Sequence, residues 1–171
     1  MEENIVTVKN QKTVKTFTWI ILIASGLVFV AAMFGMFTSS FLNSIMASTK
    51  IASSVHLNAT AILILDFWRM LISGYIILSA VFVLQYREVW RRQIIAGLIL
   101  AILYMIISPI VTYYSFPQIN FAGSDSMQAG IMDAAKTAGM LFQYFWAVAW
   151  SVFFIVAIFK YNNKEIKELF S

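Results

Sequence analysis

The chain has no cysteine, a single histidine and two prolines among 171 residues. Without thiols there is no disulfide framework, no thiolate nucleophile and no cysteine-ligated metal centre. One histidine, His56, rules out a bis-histidine haem held within this chain. Catalytic zinc ordinarily takes about three protein ligands, and none stand at suitable spacing around His56, so it reads as a solvated loop residue. Neither a metal nor a cofactor is expected. Charge is scarce as well. Only 12% of residues are charged and 61% are hydrophobic, against about 25% and about 45–50% in ordinary soluble domains. A soluble fold would need a solvated surface that this composition does not supply.

Catalytic signatures are missing too. There is no phosphate loop, no HExxH and no dinucleotide fingerprint, and no nucleophile, base and orienter stand in a legible set. No intrinsic catalysis is expected. A net charge of +4 is of the sign that nucleic acid attracts, but the placement of the charges argues for a membrane.

What the chain does have is long apolar runs. A membrane span needs about 20 mostly apolar residues. Four runs qualify, roughly Phe17–Phe37, Ala61–Gln85, Ile94–Phe116 and Ala138–Lys160. The expected fold is therefore all-α, a single-domain bundle of four transmembrane helices in the lipid bilayer. The first run is too long for the apolar core of a cleaved signal peptide and is read as a retained span. Lysine and arginine alternate sides. Lys9, Lys12, Lys15, Arg87, Arg91, Arg92, Lys160, Lys164 and Lys167 fall on one side, and only Lys50 and Lys136 fall on the other. The positive-inside rule then places both termini in the cytoplasm and explains the basic balance without a nucleic-acid partner. Trp19, Tyr86, Trp90 and Tyr161 read as an inner aromatic belt, and Tyr113 and Tyr114 as an outer one.

The connections carry structure of their own. Residues 39–58 are amphipathic at helical spacing, with Phe41, Ile45, Ala52 and Val55 near one stripe. They either extend the first helix or form a separate surface helix. Pro117 and Gly123 break the third connection, and Asp125 with Gln128 resembles a capping box, so the last helix is expected to begin near Ser126. Asn58-Ala-Thr60 matches a glycosylation sequon pressed against the membrane, a weak signal. The basic segment YREVWRR is accounted for by orientation and headgroup contact.

Asp66 and Arg69 stand out because they lie inside an apolar run. Ionisable residues at that depth are costly and mark a function or a specific pairing. Their i, i+3 spacing lets them meet on one helix face. Each span also carries a stripe of small or polar residues: Thr18, Ser25, Ala32 and Ser39; Ala59, Asp66, Arg69, Ser73 and Ala80; Gly97, Ala101, Tyr104, Ser108 and Thr112; Lys136, Gln143, Ala147 and Trp150. Lipid would leave the polar members unsatisfied, so the stripes should face protein. Gly97 with Ala101, and Ala147 with Ser151, fit the small-xxx-small rule for close helix packing. Asp66, Arg69, Ser108, Thr112 and Gln143 fall at similar depth in the outer half and are expected to share a polar pocket. Pro109 beside them cannot donate to the Met105 carbonyl.

Three functional readings follow. The first is a non-catalytic, structural or accessory subunit of a larger integral membrane complex, contacting other membrane chains or its own copies through the fourth helix. The second is a small oligomeric transporter or channel lined by the polar stripes. The third is a quinone-binding membrane subunit that uses the charged pair and the aromatic residues of the last span.

Overall fold

The structure, a computed structural model, describes residues 2–48, 59–115 and 126–170. It is helical: α1 Glu2–Ser48, α2 Ala59–Val83, α3 Glu88–Ser115, α4 Ser126–Asn162 and α5 Lys164–Lys167, closed by a 3-10 turn at Glu168–Phe170. The first four are long and apolar enough to cross a membrane, with apolar stretches at Asn10–Phe41, Ile62–Val83, Glu88–Thr112 and Thr137–Asn162. The last helix begins at Ser126, as the breakers before it imply. The segment after the first span continues α1 without interruption as far as Ser48. At about 1.5 Å per residue α1 is about 70 Å long, more than twice the bilayer's hydrocarbon thickness of about 30 Å. His56, Lys50, the Asn58 sequon and Asp125 lie outside the described residues, as do the side chains of Lys136, Tyr113 and Tyr114.

Sequential helices pack as neighbours, α1 on α2, α2 on α3 and α3 on α4. The seam of α1 is Val14, Thr18, Ile21, Ser25 and Ala32, all buried. Their three- and four-residue spacing keeps one face turned inward. On α2 the buried set is Asp66, Ser73, Ile76, Ala80 and Val83. Gly97 lets α3 close onto α2: a β-carbon there would meet Ile76 Cγ1 at 2.9 Å and the Tyr75 ring at 3.1 Å. The buried serine hydroxyls of α2 are satisfied within their own helix. Ser79 donates to the Tyr75 carbonyl at 2.8 Å and Ser73 to that of Arg69 at 2.7 Å, which removes the penalty of placing them in an apolar interior. The outward faces are apolar and exposed, with Leu27, Phe34, Leu78, Ile106 and Phe145 among them. That is the surface a bilayer accepts.

The core is concentrated at the end where the α2–α3 turn, the first turns of α1 and the last turn of α4 meet. Val14, Val83, Ile94, Leu98, Ala157 and Tyr161 form its centre. Ile166 and Phe170 fold beneath it, so the C-terminal tail is part of the packing. Asn163 caps α5 by accepting from the Glu165 amide, and Asn10 donates to Glu165 at 3.1 Å. Tyr86 takes the left-handed position in the α2–α3 turn at φ 54°, a conformation that costs a non-glycine residue about 1–2 kcal/mol. Its ring lies 5.6 Å from that of Phe170. Burial pushes its phenol pKa above the usual range.

Two expectations are corrected at this end. Tyr161 and Tyr86 do not join Trp19 in a membrane-facing belt. Tyr161 is 1% exposed and hydrogen-bonds Thr18 at 2.7 Å. Because Thr18 already donates to the Val14 carbonyl, the tyrosine hydroxyl is the donor. Arg91 is not a headgroup contact either. It is 5% exposed and grips Glu88 with two nitrogens at 2.5 and 2.6 Å. Its third nitrogen donates to the Tyr161 carbonyl at 2.8 Å. A cation at the C-terminal end of α4 also complements the helix dipole. One arginine thus ties the start of α3 to the end of α4.

Candidate intramembrane site

Beside that core the four helices line a partly open cavity of about 260 Å³. Each contributes a wall: Ala24 and Ser25 from α1, Arg69 and Ser73 from α2, Tyr104 and Ser108 from α3, Gln143 and Trp146 from α4. The cause is visible in the side chains. α1 and α4 meet through Thr18 with Tyr161 and through Phe17 stacked on Phe153 at 5.7 Å. Farther along α1 the residues on the cavity wall are Ala24, Ser25, Val28 and Ala31, none of them large.

Arg69 and Asp66 form the ion pair their spacing implies, with Nη2 to Oδ1 at 2.6 Å. The two side chains have different surroundings. Asp66 is 8% exposed and presses against α1, where a β-carbon on Gly35 would lie 2.5 Å from its Oδ2. Gly35 is therefore the opening into which the carboxylate fits. Arg69 points the other way in packing terms: it lines the cavity and retains about a third of its side-chain exposure. Its Nε is buried without a hydrogen-bond partner. The Tyr104 hydroxyl donates to the Leu65 carbonyl at 3.2 Å, joining α3 to α2 one residue before Asp66.

Of the five residues expected to share a pocket, Arg69, Ser108 and Gln143 line the cavity; Asp66 and Thr112 do not. Asp66 is turned to α1, and Thr112 spends its hydroxyl on the Ser108 carbonyl at 2.8 Å. Pro109 is buried within α3 and lines the same space. The four small residues assigned to close packing divide. Gly97 meets α2. Ser151 reaches Met105 Sδ on α3 at 3.9 Å. Ala101 and Ala147 instead line the cavity. Trp146, Trp150 and Phe154, among the aromatic residues of the last span, also line the cavity, whereas sequence reasoning missed Gly35 and the inward role of Arg91. Gly35 carries no chemistry to notice, and the inward role of Arg91 appears only once α4 is docked.

Chemically the cavity offers one guanidinium, a few hydroxyls and an amide on walls that are otherwise apolar and aromatic. Among the described residues no group of His, Asp and Glu stands close enough to hold a metal ion. No family model, curated protein or solved structure matches the chain.

Proposed function

We propose that this chain is a non-catalytic subunit of a larger integral membrane complex, seated in it through α4, with both termini on the cytoplasmic side. The observation that carries the reading is the state of α4. Its 37 residues are anchored near the C-terminal end by Tyr161, Ala157 and Phe154. Over the preceding turns Leu141, Phe142, Phe145, Val148 and Val152 are exposed. Exposed apolar surface by itself calls only for lipid, since lipid tails are as apolar as these side chains. A large aromatic surface on the helix least held by its own bundle supports a protein neighbour. Phe153, by contrast, belongs to the bundle through its stack on Phe17.

A photo-reactive amino acid placed at Phe145 or Val152 tests this in intact membranes. Capture of one defined membrane chain is expected from both sites, and none from Phe154, which faces the core. Lipid adducts alone at Phe145 and Val152 would count against the seat. The orientation is checked separately. A cysteine at exposed Lys164 is the only thiol in the chain. It should escape an impermeant thiol reagent in sealed cells and react after permeabilisation. Labelling in sealed cells would reverse the topology.

A second reading, a small oligomeric transporter, is favoured by one observation: the polar wall of the cavity contains an arginine. In that case α4 would capture a second copy of the same chain.

A further inference from the structure

We infer that the cavity binds a neutral, ring-sized, carbonyl-bearing lipophile of the quinone class, held by Arg69. The inference rests on the pocket and not on the assembly proposed above.

The donor count comes first. A guanidinium has five N–H groups and no acceptor. Asp66 takes one nitrogen of Arg69, and the side chain, about a third exposed, presents the rest of its guanidinium on the cavity wall. Those accessible N–H groups can donate to an oxygen acceptor placed in the cavity. Charge then selects the kind of acceptor. Arg69 is already neutralised by a carboxylate at 2.6 Å. An anion would enter a site of no net charge and lose its hydration without compensation. A neutral carbonyl oxygen accepts the same hydrogen bond without that loss.

Size and wall chemistry narrow it further. At about 260 Å³ the cavity falls just below the range of about 300–1,000 Å³ typical of ligand pockets. That accommodates one substituted six-membered ring with its tail leaving into lipid, and not a phospholipid headgroup with its glycerol. Trp146, Trp150, Tyr104 and Phe154 supply flat apolar faces around that volume. Aromatic rings pair well in offset or edge-on arrangements. Gln143 and Ser108, also on the wall, supply polar groups for a second ring oxygen.

The test uses the full-length protein in mild detergent, titrated with decylbenzoquinone while tryptophan emission is recorded. Trp146 and Trp150 line the site, so a bound quinone ring quenches them. Saturable quenching is expected in the wild type. Ala147→Phe fills the cavity and leaves the charge pair intact, and it should remove the saturable component while helix content by circular dichroism stays the same. Arg69→Lys keeps a cation but lacks the planar forked donor set, and should weaken the midpoint about tenfold or more. Added phosphatidylglycerol should not compete. Quenching that rises linearly in the wild type, a saturable component that persists in Ala147→Phe, or displacement by phosphatidylglycerol would each overturn the assignment. None of these outcomes depends on whether α4 has a protein partner, so the two proposals fail separately.

Discussion

Arg91→Met is expected to lower the stability of the detergent-solubilised chain by about 3 kcal/mol, through loss of a buried, charge-assisted hydrogen-bond set. Three contacts disappear together: the two-nitrogen grip on Glu88 and the bond to the Tyr161 carbonyl. The Tyr161 carbonyl is left without this donor at a buried helix end. Arg91→Lys should recover only part, because an ammonium does not match the forked geometry. Arg92 gives the contrast. Its side chain is 75% exposed and its bond to Glu88 is 3.1 Å long, so Arg92→Met should change stability by no more than about 0.2–1 kcal/mol. Thermal melts followed by tryptophan emission would compare them. Equal effects of the two substitutions would mean that Arg91 does not hold α3 to α4.

The intramembrane pair should respond asymmetrically. Arg69→Gln leaves the Asp66 carboxylate against Gly35 without the partner recorded for it among the described residues. Asp66→Asn leaves Arg69 beside a cavity into which it can relax. Breaking a buried pair by removing one partner costs about 3–5 kcal/mol. Arg69→Gln should approach that range, and Asp66→Asn should fall below it because Arg69 is a third exposed. Asp66→Asn with Arg69→Gln should be more stable than Arg69→Gln alone, since the uncompensated charge is gone. Gly35→Ala tests the same geometry from α1, because its methyl group and the carboxylate claim one position. Folded yield and melting in detergent are the readouts. Strict additivity of the two charge substitutions would show that the side chains do not compensate each other.

The physical reasons for what was legible beforehand are specific. The four spans follow from unbroken apolar runs, because a bilayer leaves a backbone no other way to satisfy its hydrogen bonds. The start of α4 follows from Pro117 and Gly123 before it. The Asp66–Arg69 contact follows from helical spacing alone. The role of Arg91 was not legible. A charge near the end of a span satisfies the positive-inside rule whether it faces water or protein, and only the docking of the end of α4, whose Tyr161 carbonyl takes Arg91, shows that it faces protein. The split between Gly97, which closes onto α2, and Ala101, which faces a cavity, was equally hidden. Both satisfy the same small-residue rule, and what separates them is whether the opposing helix supplies a side chain such as Ile76. Thr112 and Asp66 were assigned to the pocket by depth, but depth does not specify which way a side chain turns.

The measurement that bears most directly on the central claim is the native mass of the complex extracted in mild detergent. A 19.4 kDa chain that serves as a subunit should emerge in a larger particle, with at least one other membrane chain in a fixed ratio. Recovery of a solitary 19.4 kDa species, matched by the absence of any protein cross-link from α4 in intact membranes, would contradict the claim.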